Sequence, residues 1–320
     1  MLSGSQRHAV ETLSPLDRHQ MEDGESVGTP SSMLHRCIIF CSVCHLLVRA
    51  AWLFLPTTVL AQNPADEHVR VELVSEEESI VPHQQLQLGV RFDLQEGWHT
   101  YWVNPGDSGE PPRIEWTLPT GFQANSIQWP YPIRLSTPPL VDYGYEHQVL
   151  LPVVIRTPSG LTEGATEQMI AHVHYLICQE ICIPGQKQLV LELPVRDHGT
   201  ASSNAALFES TRRQLPKPIP EGWKISATSA GGEFRLRLRA RKVIASPQFF
   251  PLEPEQIENA APQNVSATPG GLVLHLKKSN HLLKPISRIK GVMVVSGTAY
   301  LVDVRVLQSS GQGPGQSKQN

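Results

Sequence analysis

The feature that most restricts the fold of this chain is the alternation of apolar and polar residues in short segments. Residues 69–74 read Val-Arg-Val-Glu-Leu-Val, and residues 234–239 read Phe-Arg-Leu-Arg-Leu-Arg. Because a period of two places every second side chain on the same face of a strand, such a segment buries one face and exposes the other. Further candidate strands cover 86–92, 114–118, 148–155, 172–178, 188–195, 272–276 and 301–306. The pattern predicts an all-β protein built from β-sandwiches.

Turn-forming residues separate these segments. The sequence contains 27 prolines and 23 glycines, and residues 104–109 (Asn-Pro-Gly-Asp-Ser-Gly) are typical of a turn. Residues 203–215 interrupt the β pattern and predict a short helix, with Asn204 as its N-cap and Pro216 ending it. We expect five regions: 1–61 (leader and signal peptide), 62–200 (first sandwich domain), 201–218 (helix and proline-rich linker), 219–309 (second sandwich domain) and 310–320 (disordered tail).

The composition excludes several classes of function. The formal net charge is −3 and charged residues make up 18% of the chain, so the basic excess of nucleic-acid-binding proteins is missing. The sequence contains no glycine-rich phosphate loop, no nucleophile elbow and no pair of carboxylates at strand ends. We therefore expect neither a nucleic-acid partner nor a small-molecule substrate.

The N-terminal region has the organisation of an export signal. A basic start at Met33 precedes a mostly apolar run over residues 37–60, which ends in a small-residue pattern typical of signal-peptidase sites. We expect cleavage before Gln62 and a periplasmic location, with translation starting at Met1 or Met33. The alternative is an uncleaved membrane anchor, because the run approaches the length of about 20 residues that spans a bilayer.

Export leaves one pair of cysteines in the mature protein. Cys37, Cys41 and Cys44 lie in the apolar run, so only Cys178 and Cys182 remain in an oxidising compartment. In extended strand their Cα atoms would lie about 13 Å apart, whereas a disulfide tolerates about 7 Å, so a bond requires a sharp turn between them. Closing such a small ring adds only about 2 kcal/mol of stability, which favours redox function over a structural staple.

Metal binding is an alternative for the same segment. His172 and His174 would share one face of a strand, and with Cys178 and Cys182 they would offer imidazole and thiolate ligands for Cu(I) or zinc. The cysteine spacing differs from the usual Cys-x-x-Cys turn of zinc sites. A copper-binding or copper-tolerance protein therefore stays open beside redox function, as does a non-enzymatic binding module.

Several patches of sequence, in order along the chain, resemble one family. The most specific are residues 97–109 (Gly-Trp-His-Thr-Tyr-Trp-Val-Asn-Pro-Gly-Asp-Ser-Gly) and 178–184 (Cys-Gln-Glu-Ile-Cys-Ile-Pro). The other patches cover residues 127–130, 142–145, 150–153, 249–251 and 261–263. Over roughly residues 68–308, the chain resembles the N-terminal periplasmic domain of the thiol:disulfide interchange protein DsbD, particularly the longer variant found in ScsB-like proteins.

The resemblance implies immunoglobulin-like β-sandwiches and a redox cysteine pair that needs no cofactor. Cys178 and Cys182 would relay electrons from a membrane-embedded thiol donor to periplasmic thioredoxin-fold proteins, which is a protein-disulfide reductase activity. Cys182 is the sulfur expected to engage partners. Members of the family continue into membrane helices and a thioredoxin-like domain, and since neither follows here, a separately encoded donor is expected. The resemblance also connects the chain with cytochrome c maturation and copper tolerance.

The resemblance further implies a cap loop over the cysteines. In the matching stretch, Val-Asp-Tyr-Gly-Tyr, Tyr143 is the expected shield, and the charge of Asp142 would raise the pKa of a neighbouring thiol. Tyr145 belongs to the same stretch, while Trp98 and Tyr101 are expected to support the site. Ordinary packing is the alternative for these aromatic residues, because aromatics commonly fill the cores of β-sandwiches.

Overall fold

The computed structural model describes residues 63–240 and 247–308, which contain seventeen β-strands and one α-helix. The strands confirm the all-β prediction, and each of the nine segments predicted from alternation overlaps one of them. The expected signal peptide, with its cysteines, and the C-terminal tail lie outside the described residues. In the part of the chain that is described, no helix combines the length and the apolar composition needed to cross a membrane.

The first sandwich is built from ten strands in two sheets. In chain order they are β1 (Val69–Ser75), β2 (Gln85–Leu94), β3 (His99–Gly106), β4 (Arg113–Thr117), β5 (Gln123–Ala124), β6 (Ile133–Thr137), β7 (Leu140–Glu146), β8 (Gln148–Arg156), β9 (Thr166–Cys178) and β10 (Cys182–Pro194). One sheet has the order β1-β2-β8-β5. The other has the order β10-β9-β3-β7-β6, and β4 also pairs with β9.

Strand β9 shows why the two sheets stack. Buried residues alternate with more exposed ones along this strand, and the buried face consists of Met169, Ala171, Val173, Tyr175 and Ile177. These side chains belong to the same hydrophobic core as the buried faces of β1, β2 and β8 in the other sheet. Because each sheet has one apolar face, packing the two faces together removes both from water.

The second sandwich contains seven strands in one continuous order. They are β11 (Lys224–Ala230), β12 (Glu233–Arg239), β13 (Gln248–Pro251), β14 (Asn264–Thr268), β15 (Gly271–Lys277), β16 (Arg288–Val295) and β17 (Thr298–Gln308). The order is β13-β16-β17-β11-β12-β15-β14. Strand β17 pairs with β16 over residues 298–305 and with β11 over residues 306–308. It therefore joins the two layers that enclose the second hydrophobic core.

The helix α1 (Ala205–Gln214) lies within the segment predicted at 203–215. Its N-terminus differs from the prediction in one respect. Asn204 occupies the N-cap position, but its side chain makes no capping hydrogen bond and accepts one from Arg91 instead. Phe208 is buried in a small apolar cluster with residues of β1 and β8. Packing against the first sandwich, rather than side-chain capping, therefore holds this short helix in place.

An aromatic cluster connects the two sandwiches. Phe250 of β13 is buried against Trp102 of β3 and Tyr143 of β7, with ring centroids 6.3 and 5.3 Å away and steeply inclined ring planes. Edge-to-face pairs of this kind add about 0.5–1.5 kcal/mol each beyond the burial of their surface. A residue of the second sandwich thus completes the core of the first.

Replacing Leu151 by alanine tests the first core. Leu151 is 0% exposed, so Leu151→Ala should lower the free energy of unfolding by about 2–5 kcal/mol through lost burial and a residual cavity. Leu283→Ala is the matched control, because that side chain is 91% exposed and its removal should cost less than about 0.5 kcal/mol. Urea denaturation followed by tryptophan fluorescence measures both. Similar losses in the two variants would contradict the assignment of the core.

Candidate functional site

Cys178 and Cys182 close the end of a β-hairpin. Strand β9 ends at Cys178 and β10 begins at Cys182, and the two residues are direct partners in the antiparallel ladder, with Cα atoms 4.1 Å apart. Three residues form the turn between them, in which the amide of Gln179 donates a hydrogen bond to the carbonyl of Ile181. The hairpin therefore supplies the sharp turn that a disulfide requires, and the two cysteines are bonded to each other.

The two cysteines differ in exposure. Cys178 is 2% exposed, whereas Cys182 and the turn residues before it are exposed. Ile181, which is 65% exposed, stands beside Cys182 at the tip of the hairpin. A thiol that approaches from solvent therefore reaches the Cys182 side of the disulfide first.

Strand β3 places Tyr101 against the disulfide. His99 of β3 pairs directly with Cys178 of β9, so the side chains of His99, Tyr101 and Cys178 lie on the same face of the sheet. The Tyr101 hydroxyl donates a hydrogen bond to Cys178 Sγ at 2.8 Å and lies 3.8 Å from Cys182 Sγ. Tyr101 is itself buried. On its Cys178 side, the disulfide therefore meets a phenol group instead of water.

Asp142 of β7 lies on the same face as Tyr101, as the pairing of β3 with β7 dictates. Its carboxylate accepts hydrogen bonds from the backbone amide and the hydroxyl of Ser108, at 2.8 and 2.7 Å. Burial raises the pKa of Tyr101 to about 12, and the charge of Asp142 adds to the rise, while the neighbouring Ser108 hydroxyl opposes it. The phenol therefore stays protonated at neutral pH and remains a hydrogen-bond donor to sulfur.

A short turn, residues 107–109, covers the Tyr101 ring and is called the covering turn from here on. Gly109 has a φ of +81°, and a Cβ atom placed on it would lie 2.2 Å from atoms of the Tyr101 ring. Only glycine combines this left-handed conformation with so close an approach. The backbone of the covering turn is thus packed directly on the aromatic ring that contacts the disulfide.

His99 is a further buried group on this face. Its ring packs edge to face against Tyr101 at a centroid distance of 5.3 Å, and its Nε2 atom makes no hydrogen bond. Burial lowers the pKa of His99, although nearby carboxylates oppose this shift, so the imidazole is neutral at pH 7. No local pattern marks His99 or Ser108 as site residues. Their place in the specific patch at 97–109 is the one sequence signal that points to them.

Tyr143 and Tyr145 lie on the opposite face of the sheet from the disulfide. Alternation along β7 sends Asp142 to one face and the two tyrosines to the other, where both are buried. The Tyr143 hydroxyl donates to Asn259 Oδ1 at 2.9 Å, and the Tyr145 hydroxyl donates to the carbonyl of Pro130 at 2.7 Å. The shielding role predicted for Tyr143 therefore needs correction. Adjacent residues of one strand cannot both face the cysteines, and Asp142 occupies that side.

Three other predicted residues lie away from the disulfide. Trp98 is part of the hydrophobic core, with its ring stacked on that of His68 at a centroid distance of 4.1 Å. His174 and His172 share a face of β9 with Cys178. His174 lies four residues before Cys178, roughly 13 Å along the strand, and His172 lies six residues before it, roughly 20 Å away. Among the described residues, no group of three or more His, Cys, Asp or Glu side chains is arranged to hold a metal ion. The ligand set of the copper alternative is therefore not brought together.

A second polar cluster lies on the other sandwich. Ser266 Oγ is 3.0 Å from His275 Nε2, and His275 Nδ1 is 3.2 Å from Glu233 Oε2. This order matches a serine–histidine–acid relay, but Glu233 also forms an ion pair with Arg235, whose hydrogen bond is the main cause of its lowered pKa. The side chains connect the neighbouring strands β14, β15 and β12, so we assign them cross-strand stabilisation.

Comparison with known families identifies the domain that carries the disulfide. The family model described as "Thiol:disulfide interchange protein DsbD, N-terminal" matches residues 70–194, which span strands β1 to β10 and include both cysteines. Residues 70–194 are a DsbD-like N-terminal domain. With the Cys178–Cys182 disulfide, this match indicates a thiol–disulfide exchange family. No curated protein sequence matches the chain.

Solved structures support the fold of the DsbD-like domain and its neighbour. The crystal structure of the N-terminal periplasmic domain of ScsB from Proteus mirabilis is 17% identical and superposes with a TM-score of 0.59, covering 78% of this chain and 97% of that chain. The likeness shows an immunoglobulin-like all-β fold that extends beyond the first sandwich. A chimeric titin Z1Z2 (10% identity, 76% and 97% coverage, TM-score 0.18) and the periplasmic chaperone SfaE (14%, 74% and 100%, 0.17) superpose too poorly to carry an argument.

A pair of glycine substitutions tests the packing of the covering turn. Gly109→Ala forces a left-handed conformation on alanine and drives its Cβ into the Tyr101 ring. Gly164→Ala is the matched control, because Gly164 has the same φ of +81° but no atom within 4 Å of the added Cβ. We expect Gly164→Ala to lower the free energy of unfolding by about 1 kcal/mol. Gly109→Ala should lose about 1–3 kcal/mol more through overpacking. Equal losses in urea denaturation would contradict the close approach.

Proposed function

We propose that this protein carries out thiol–disulfide exchange outside the cytoplasm, with Cys178 and Cys182 as the exchanging pair. In this role the pair takes two electrons from a membrane-embedded thiol donor and passes them to periplasmic thioredoxin-fold proteins, as a protein-disulfide reductase. The DsbD-like domain, the periplasmic location of the similar ScsB domain and the export signal expected at residues 1–61 all support this proposal.

The observation that carries the proposal is that the two sulfur atoms differ in their exposure and in their hydrogen bonding. An exposed Cys182 gives a partner thiolate access to one end of the bond. A buried Cys178, hydrogen-bonded by the Tyr101 hydroxyl, is the leaving group when that attack occurs. A structural staple has no need of such an asymmetry, whereas exchange depends on which sulfur is attacked and on how well the other leaves.

Loading with electrons follows from this geometry. A donor thiolate attacks Cys182 Sγ, the Cys178–Cys182 bond breaks, and Cys178 leaves as a thiolate that accepts the hydrogen bond of Tyr101. The second thiolate of the donor then attacks the donor's own sulfur in the mixed disulfide. Cys182 is released as a thiolate, and the donor is left oxidised. Two electrons have moved onto the cysteine pair.

Unloading is the same sequence in reverse. The Cys182 thiolate attacks the disulfide of an exported protein, which forms a mixed disulfide and frees one partner thiolate. Cys178, held opposite Cys182 by the hairpin, attacks Cys182 Sγ and re-forms the intramolecular bond. The partner leaves with both of its sulfurs reduced. Asp142 opposes the formation of a thiolate at Cys178, because its negative charge lies on the same face of the sheet.

The proposal also assigns the parts of the chain. Residues 62–200 form the redox domain, residues 201–218 form a helix and linker, and residues 219–309 form a second domain that buttresses the first. The two separate hydrophobic cores support this division. The contact of Phe250 with Tyr143 of the first sandwich supports the buttressing role.

The redox equilibrium of the pair tests the function. The purified full chain is equilibrated in graded dithiol–disulfide buffers, alkylated and digested, so that the masses of the Cys178 and Cys182 peptides report the oxidation state of this pair alone. We expect a reversible transition at about −180 to −270 mV, the range of known exchange proteins. A potential below about −300 mV, or a bond that never exchanges, would make the pair a staple and refute the proposal.

Single-cysteine variants test which sulfur meets the partner. Cys178→Ser leaves the exposed Cys182, and Cys182→Ser leaves Cys178 beneath Tyr101. We expect iodoacetamide to modify Cys182 in the first variant at least about ten-fold faster than Cys178 in the second, because access limits the reaction of a buried thiol. Peptide masses follow both rates, and the same reaction in concentrated urea controls for intrinsic reactivity. Equal rates in the folded variants would contradict the role of Cys182.

A further inference from the structure

A buried asparagine of the second sandwich contacts the first sandwich. Asn259, which is 6% exposed, lies in a turn between β13 and β14. Its Nδ2 atom donates a hydrogen bond to Asp107 Oδ1 at 2.8 Å, and its Oδ1 atom accepts one from the Tyr143 hydroxyl at 2.9 Å. Arg134 also donates to its backbone carbonyl. Both ends of the amide are therefore satisfied by first-sandwich residues, which fixes its orientation.

Asp107 connects Asn259 to the redox site. Its second carboxylate oxygen accepts a hydrogen bond from the amide of Val141 at 2.8 Å, so Asp107 joins β7 to the second sandwich. Asp107 is the first residue of the covering turn, and the next residue, Ser108, donates both of its hydrogen bonds to Asp142. The position of Ser108 thus depends on how firmly Asp107 is held.

We propose that Asn259, supplied by the second sandwich, is a positioning residue of the redox site. By holding Asp107 it fixes the covering turn, and the covering turn holds Ser108 on Asp142. The inference rests on the proposed function, because it concerns the equilibrium between the disulfide and the two thiols.

The expected effect has a definite direction. On the face of Cys178 lie its partner Cys182, the carboxylates of Asp142 and Glu146 on β7, the ring of His99, whose pKa is lowered by burial, and the hydroxyl of Tyr101. The two donors of Ser108 offset the charge of Asp142, and the covering turn keeps the Tyr101 ring in place. When the turn is released, the Asp142 charge is less compensated and the Tyr101 donor is less well placed. Both changes disfavour a thiolate at Cys178 and so favour the disulfide.

Two substitutions of Asn259 test the inference in the full chain. Asn259→Ala removes the amide, and Asn259→Asp keeps its volume but sets a carboxylate against Asp107. We expect each to shift the thiol–disulfide equilibrium toward the disulfide by about 3- to 10-fold, the effect of one lost hydrogen bond. The pH profile for alkylation of reduced Cys178 should move to higher pH. Asn264→Ala, at an exposed asparagine of β14, is the control and should leave both readouts unchanged.

A double-mutant cycle with Ser108→Ala tests the route. If Asn259 acts through the covering turn, Asn259→Ala should shift the equilibrium by less than about twofold once Ser108 is already alanine. Additive shifts would overturn the route and the inference with it. Folded Asn259 variants with an unchanged equilibrium would also overturn it, while exchange by the parent protein still upheld the proposed function. A parent pair that never exchanges would refute the proposed function itself.

Discussion

Strand β3 contributes side chains both to the disulfide site and to the hydrophobic core, because successive side chains of a strand point to opposite faces of the sheet. His99 and Tyr101 face the disulfide, while Thr100 and Trp102 are fully buried on the other side. A slip of one residue in the pairing of β3 would exchange these sets and bring Trp102 to the sulfur atoms. The apolar burial of Trp102 therefore determines where the Tyr101 hydroxyl lies, and the chemistry of the site is fixed by the core beneath it.

Much of this arrangement follows from local patterns in the sequence. Period-two alternation is a property of each strand alone, so segments such as residues 69–74 and 234–239 could be assigned without knowledge of their partners. The need for a turn between Cys178 and Cys182 follows from chain geometry, and the hairpin of β9 and β10 provides it. These predictions depend on a few neighbouring residues, which is why they were available from the sequence.

The rest depends on contacts that the sequence does not mark. Tyr143 was predicted beside the cysteines because the family resemblance places a cap loop in this stretch, but which of two adjacent residues faces the site is decided by strand register. Asn204 has the residue type of an N-cap, but its side chain accepts a hydrogen bond from Arg91, which is far away in the sequence. Asn259 and Asp107 are 152 residues apart, and although Asp107 belongs to the patch at 97–109, nothing in the sequence pairs it with Asn259. Side-chain pairs of this kind arise only when two sandwiches have already packed together.

In the proposed exchange, the hairpin would also govern how long a mixed disulfide with a partner lasts. The ladder between β9 and β10 runs from Cys178 and Cys182 to Thr166 and Pro194, and its hydrogen bonds do not depend on the disulfide. After reduction, the two sulfurs are still held side by side by the backbone, at a high effective concentration. In the proposed exchange, ring closure by Cys178 would therefore follow quickly once Cys182 has joined a partner. The rigidity of the sheet would then keep the residence time of the mixed disulfide short.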